Sequence, residues 1–202
     1  MARVKPKRHG VVTDMTAMCD VAFLLLTFFI LTTQFKKPDV ESIKPPSSIS
    51  QILLPDNDLM TINVTSAGKF YFSPVQSVSE RKQLIDKMAT KYGMSFNEQE
   101  KIAFVNNQAV GVPMSQLKSF LNLPDDERKN FKDGAGVPMD SVNKQLIDWV
   151  KMSLEVNPNS KLAIKGDQVT KYPRVKSLFE GLRDIKFYKF WLITNQEANS
   201  KE

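Results

Sequence analysis

The longest apolar run of the chain lies near its N-terminus and is preceded by a single acidic residue. No charged side chain occurs over residues 21–33, whereas Asp20 comes directly before them. As a helix, the 19 residues 15–33 would be about 28 Å long, close to the thickness of a bilayer core. We therefore predict a transmembrane helix over residues 12–35, with a short tail at residues 1–11.

Polar residues of this helix follow one face. Residues seven positions apart differ by only about 20° around a helix, and residues four apart also lie close together. The face comprises Thr13, Thr16, Asp20, Thr27 and Gln34. An aspartate in the centre of a membrane helix costs about 3 kcal/mol, so it usually meets a protein interior or a wet path and marks a functional site. We predict this role for Asp20, with the other polar residues supporting it.

Two structural explanations remain open for these residues. Threonine hydroxyls in membrane helices often bond back to a carbonyl of the preceding turn, which would account for Thr27 without a function. Asp20 could instead lie at the membrane interface, if the helix began only at Val21. The 13 residues 21–33 are too few for a straight crossing, which disfavours that explanation.

Basic residues indicate how the helix is oriented. Four of them precede the helix and two follow it: Arg3, Lys5, Lys7 and Arg8, then Lys36 and Lys37. This modest bias favours a cytoplasmic N-terminus and an exported C-terminal part. A cleaved signal peptide is the alternative. It is disfavoured because Asp14 and Asp20 interrupt its apolar region and no small-residue cleavage motif follows.

The residues after the helix, 36–57, are rich in proline and serine. This composition is typical of an extended linker, and a disordered state remains one possibility. Short apolar clusters within it could instead add a strand to a partner protein or to a second copy of the chain. The candidate partner-binding residues are Val40, Ile43, Ile52, Leu53 and Leu54.

Residues 58–196 alternate between strand and helix patterns, followed by a frayed tail at 197–202. We predict strands over 60–64 and 70–72, joined by a turn at 66–69, and further strands over 102–105, 162–165 and 187–194. Helices are predicted from Ser79 to about Tyr92, then over 113–121, 125–131, 140–156 and 171–182. This order predicts an α+β or α/β domain, with a hairpin and a mixed sheet packed against helices.

Composition excludes several functions. The net charge of +6 is scattered and shows no basic stripe with interleaved aromatic residues, so nucleic acid is not an expected partner. One histidine and one cysteine cannot build a metal site of the His/Cys type or an internal disulfide. No nucleophile or phosphate-binding motif occurs after residue 35. We expect neither enzyme activity nor a cofactor, and we expect Asp167, in a turn after a strand, to be structural.

Two stretches resemble the ExbD/TolR family of biopolymer transport proteins. The membrane segment of that family reads approximately N-x-T-P-x-x-D-V, followed by an apolar run. Residues 14–21, DMTAMCDV, place Thr16 and Asp20 on the motif threonine and aspartate. Asp14 replaces the usual asparagine and Ala17 the usual proline. Near the C-terminus, a strand ending in Gly166 and Asp167, a helix and the strand over 190–193 follow the family order.

The resemblance implies a subunit of a proton-driven motor in the bacterial inner membrane, with Asp20 as proton carrier. In the family, the motor energises TonB-dependent outer-membrane transport (ExbD) or serves the Tol–Pal envelope system (TolR). The implied partners are a ring of multi-spanning ExbB/TolQ proteins, a second copy of the chain, a periplasm-spanning TonB/TolA protein and membrane lipid. The C-terminal domain would be periplasmic, with residues 92–138 forming a longer central insertion than is typical.

Two other hypotheses fit parts of the same sequence. Residues 14–18 also resemble a stretch of flagellar MotB stators, which would make Asp14 the proton carrier. We disfavour it because Asp14 lies near the charged N-terminus and no peptidoglycan-binding domain of the OmpA type follows. The second hypothesis is a membrane-anchored periplasmic binding module, in which Asp20 has no proton role and only holds helices together.

Overall fold

The computed structural model describes residues 15–33, 43–48, 57–129, 131, 134–140 and 143–196. The chain forms two compact units, residues 1–38 and 39–202. The described part of the first unit is helix α1, Thr16–Thr32, which stops where Thr33 becomes extended. Within the described ranges, none of the helices is both long and apolar enough to cross a membrane.

The second unit is built on a four-stranded mixed sheet. Its strand order is β3-β2-β4-β5, where β3 is antiparallel to β2 and the other neighbours are parallel. These strands are β2 Leu59–Val64, β3 Phe70–Ser73, β4 Lys161–Gly166 and β5 Phe190–Ile193. Two short strands, β1 Ser47–Ser48 and β6 Asn195–Gln196, form a separate parallel pair. The predicted hairpin and mixed sheet are confirmed.

In the described part of the second unit, six helices accompany the sheet. They are α2 Val78–Tyr92, α3 Glu98–Asn106, α4 Met114–Leu121, α5 Asp125–Lys129, α6 Gln145–Val156 and α7 Tyr172–Asp184. Alternate residues of β2, namely Met60, Ile62 and Val64, are completely buried and join the helices in one apolar core. Trp149 of α6 lies within this core. The centroid of its ring is 6.0 Å from the ring centroid of Phe72 and 5.7 Å from that of Phe104.

The strand predicted over 102–105 is wrong, because these residues belong to α3. Asn97 and Glu100 form a capping box: each side chain accepts a hydrogen bond from the other residue's backbone N–H, at 2.7 and 2.9 Å. This cap starts a helix, and a run of only four apolar residues cannot distinguish helix from strand by periodicity. Consecutive Ala103 and Phe104 are both buried, unlike alternate residues of a half-buried strand.

Other element boundaries differ by a few residues. The helix expected from residue 140 begins at Gln145; before it, the Asp140 N–H donates to Asn143 O instead of continuing a helix. The last strand begins at Phe190 rather than 187, because the Phe187 N–H donates to Leu182 O at the end of α7. Ser77, rather than Ser79, occupies the N-cap position of α2. Gly93, directly after Tyr92, ends α2 in the left-handed conformation, which glycine adopts without steric cost.

The central insertion covers one edge of the sheet. Phe72 and Val110 exchange two backbone hydrogen bonds of 2.8 and 2.7 Å, and the Val137 N–H donates to Phe70 O at 2.8 Å. These bonds occupy the side of β3 that faces away from β2. An uncovered strand edge invites pairing with other chains, so the insertion closes β3 to such pairing.

A buried arginine ties the insertion to the rest of the core. The Arg81 side chain, 6% exposed, donates to the backbone carbonyls of Pro74, Val75, Val105 and Asn107 at 2.5–3.2 Å. Burial lowers the pKa of its guanidinium below the ordinary value. The guanidinium thereby links the start of α2 to the end of α3.

A methyl group added at Gly181 tests how closely α7 is packed. An ideal Cβ there would lie 2.8 Å from Ile147 Cδ1 and would also overlap Met139 Cε. We predict that Gly181→Ala lowers the free energy of unfolding by about 1–3 kcal/mol, because overpacking forces neighbours to move. Gly166→Ala is the matched control, since its Cβ would meet nothing within 4 Å, and it should change stability by no more than about 0.5 kcal/mol. Chemical denaturation measures both; equal losses would contradict close packing at Gly181.

Candidate functional site

Helix α1 places three of the predicted polar residues on one face. From Thr16 to Asp20 the helix rises about 6 Å and turns about 40° past a full turn. From Asp20 to Thr27 it rises about 10 Å and returns to within about 20° of the same direction. All described residues of α1 are exposed. The Asp20 carboxylate therefore lies on a helix surface that is free to meet another protein or lipid.

Thr27 already uses its only hydroxyl proton inside the helix. Its Oγ1 lies 3.0 Å from Phe23 O and 2.9 Å from Leu24 O, so the O–H donates to the preceding turn. This is the back-bonded arrangement that the sequence left open. A hydroxyl that donates once can still accept at its oxygen. Thr27 can thus receive a hydrogen bond from water or from a protonated carboxyl group, but has no second proton for a carboxylate.

Several sequence predictions lie outside the described residues. They concern the polar residues Thr13 and Gln34, the rival proton carrier Asp14, and the linker residues Val40, Ile52, Leu53 and Leu54. These remain predictions.

The described part of the linker contacts the chain's own second unit. Ile43 is buried, with 9% of its surface exposed. The Lys44 N–H donates to Asp167 Oδ2 at 3.1 Å, and Lys44 O accepts from the Gln168 N–H at 2.9 Å. Strand β1 begins at Ser47, four positions after Ile43, and pairs with β6. Residues 43–48 therefore use an intrachain contact where the sequence offered a partner or a second copy.

Asp167 is the residue that organises this junction. Its N–H donates to Val64 O at 3.0 Å, and its Oδ1 accepts from the Val169 N–H at 3.0 Å. Together with the Lys44 N–H on Oδ2, these donors stabilise the ionised carboxylate and hold the pKa of Asp167 below its ordinary value, with the Val169 bond as the largest cause. The geometry supports the expected structural role for Asp167.

The sequence indicates only one of the two contacts of the Asp167 carboxylate, the one with the Val169 N–H. An aspartate that bonds the N–H two residues later is a common turn arrangement, and the order Gly166, Asp167 after a strand is consistent with it. The bond to Lys44 spans 123 positions of sequence and has no local signal. In the part of the chain that the structure describes, no three His, Cys, Asp or Glu side chains are grouped to hold a metal ion.

Removing the Asp167 carboxylate should release the linker. We predict that Asp167→Ala accelerates amide hydrogen exchange over residues 43–48 while β2 and β4 stay protected. Asp184→Ala is the matched control, because it removes an exposed carboxylate that bonds to Lys144 instead. Similar exchange in both variants would show that Asp167 does not hold the linker.

Low pH should also release the linker in the unmodified protein, because it protonates Asp167. A lowered folded-state pKa means that this stabilisation is complete above the unfolded aspartate pKa of about 3.9. It is lost as the pH falls through the lowered pKa of Asp167. We expect the Lys44 and Val169 amide resonances to titrate below that value in NMR spectra. Midpoints at or above it would contradict this assignment.

Comparison with known proteins bears on both units. A family model described as biopolymer transport protein ExbD/TolR matches residues 6–197. No curated protein and no solved structure matches the chain. The family match includes the apolar helix with Asp20 as well as the sheet domain, and thus nearly the whole sequence. Proteins of this family are typically anchored in the inner membrane and generally work with ExbB/TolQ and TonB/TolA proteins. The chain belongs to the ExbD/TolR family and is a subunit that serves biopolymer transport.

Proposed function

We propose that the chain is an ExbD-type subunit of a motor that uses the proton-motive force to energise TonB-dependent outer-membrane transport. Asp20 is the proton carrier. One observation carries this proposal: Asp20 shares a face with Thr16 and Thr27 on an apolar helix with no buried residue, in a chain of the ExbD/TolR family. In a membrane, an acid on such a helix needs polar groups or water beside it.

The mechanism follows from the two charge states of Asp20. When protonated, its carboxyl group can pass an apolar wall; when ionised, it must face water or polar groups. One proton that crosses a potential of 100 mV releases about 2.3 kcal/mol, enough to bias rotation or tilt of the helix. Thr27 lies about 10 Å farther along the helix, where its oxygen can accept a hydrogen bond from a water molecule.

The proposal needs a defined arrangement in the membrane. Residues 12–35 cross it once, with the N-terminus in the cytoplasm and the second unit in the periplasm. The 17 residues of α1 rise about 26 Å, so only a few flanking residues are required to reach the thickness of a bilayer core. The excess of basic residues before the helix supports this orientation.

The partners follow from the same physics. One helix cannot enclose a wet path, so a ring of multi-spanning ExbB/TolQ-type proteins surrounds Asp20. A second copy of the chain lies in the same ring. The periplasmic unit passes the movement to a TonB-type protein that spans the periplasm. The subunit itself is not an enzyme and needs no cofactor, since its work is proton transfer coupled to movement.

Two other functions each have one observation in their favour. The matched family includes TolR, so the chain could serve the Tol–Pal envelope system by the same mechanism. The intrahelical bonds of Thr27 favour a plain membrane anchor with a periplasmic binding module, because they remove one hydroxyl proton from any relay.

Asp20→Asn tests the proton role. The amide keeps the shape and the hydrogen-bonding capacity of the side chain but cannot exchange a proton. We predict that it abolishes proton flux and energised uptake while the subunit still copurifies with its ring partner. Proton flux is measured with a pH-sensitive dye in vesicles that contain both proteins.

Asp14→Asn is the matched control and should retain activity. Full flux in Asp20→Asn would exclude the motor, and loss of copurification alone would favour the anchor. An intolerant Asp14 would favour the MotB-like hypothesis. Deletion of the chain separates the two motors: loss of receptor-dependent uptake supports the ExbD type, whereas a leaky envelope with normal uptake supports the TolR type.

A further inference from the structure

Among the described residues of the second unit, the two most exposed large apolar side chains lie three positions apart, at and just before the start of α7. Val169 and Tyr172 have 74% and 72% of their surface exposed. We call residues 166–172, from the last residue of β4 to the first residue of α7, the β4–α7 loop. It lies at the end of the sheet where the parallel strands terminate. The loop is held in place, because Thr170 Oγ1 donates to Thr65 O at 3.1 Å and Asp167 bonds the Val169 N–H. Two apolar side chains are thus presented to solvent on an ordered support.

Exposed lysines lie within and beside this loop. Lys171 lies between the two apolar residues and is exposed, as is Lys44 on the neighbouring linker. The acidic neighbours are engaged: Asp167 accepts from two backbone N–H groups, and Asp140 pairs with Arg174 at 3.3 Å. The surface therefore favours an anionic partner.

The loop also lies where the chain from α1 enters the second unit. Lys44 bonds Asp167 and Gln168 directly. The ten residue steps from Thr33 to Ile43 extend to at most about 35 Å. A surface tethered this closely to a membrane helix encounters the bilayer at a high effective concentration, so a weak interaction is sufficient to bind it.

We propose that the β4–α7 loop docks on anionic lipid headgroups of the membrane that anchors the chain. This rests on the proposed membrane anchoring by α1. Tyr172 provides an aromatic ring with a polar tip, which suits the interface, and Val169 adds apolar contact. Lys171 and Lys44 contact lipid phosphates. One apolar contact or one charge binds a membrane only marginally, and their combination with a tether is what makes docking stable.

An environment-sensitive fluorophore on the full-length protein tests the proposal. The label is attached to Val169→Cys in a Cys19→Ser background, and the protein is placed in nanodiscs of phosphatidylcholine with or without phosphatidylglycerol. We expect the emission to shift to shorter wavelength only with the anionic lipid, and to return at high salt. A label at Val78→Cys is the matched control, because Val78 is 59% exposed but begins α2 at the opposite end of the sheet. It should not respond.

Charge variants identify the residue responsible. Lys171→Ala should reduce the ratio of docked to undocked label about fivefold, the effect of one basic residue near an anionic surface. Lys151→Ala, which removes an exposed lysine of α6, should have no effect. Equal losses in the two variants, or equal emission in both lipids, would overturn the docking surface.

The remaining outcomes separate this proposal from its basis and from other partners. Extraction of the protein from vesicles by alkaline carbonate would mean that α1 is not an anchor, and the proposed function would fail with it. Retention with an unshifted label would overturn lipid docking alone. A shift that needs an added protein partner, and no anionic lipid, would assign the loop to that protein instead.

Discussion

The second unit depends on the parallel pairing of β2 with β4. Leu59 lies opposite Lys161, and the register continues to Val64 opposite Gly166. Parallel neighbours cannot be joined by a tight turn, so the hundred or so residues between them must leave the sheet and return. Hairpin strand β3 and helices α2–α6 all lie within this connection. Apolar residues of this connection join Met60, Ile62 and Val64 in one core, which supports the backbone pairing of the two central strands.

The insertion has a clear structural role within that connection. Its residues around Val110 and Val137 bond to the backbone of β3 and close that edge of the sheet. Arg81 bonds two carbonyls at the end of α3 and two carbonyls directly after β3, and so connects the insertion to the start of α2. At the other side, β5 bonds to β4, and the linker joins β6 just beyond it. The two sides of the sheet thus differ: one is closed by the insertion, and the other receives the chain that comes from α1.

The first unit follows a different constraint, the cost of a carboxylate on an apolar helix. Asp20 is tolerable only if its charge meets polar groups or its proton is retained. The described side chains of α1 are all exposed, so this surface is open to polar groups of another protein. The Thr27 hydroxyl donates to Phe23 O and Leu24 O and is left as an acceptor. These two features agree with a helix that works as part of a larger assembly.

Local pattern alone determined the apolar helix, its acidic residue and most elements of the α+β domain. These elements follow from local features: hydrophobic periodicity, the glycine that ends α2, and the hairpin turn. Such features involve residues close together in sequence and can be recognised in a single sequence. The same pattern was ambiguous for the four apolar residues at 102–105, where the capping box at Asn97 and Glu100 decided for a helix. Tertiary structure alone decided the strand order, the closure of β3 and the bond between Asp167 and Lys44. These contacts join residues far apart in the chain, because they depend on which surfaces meet after the elements have formed.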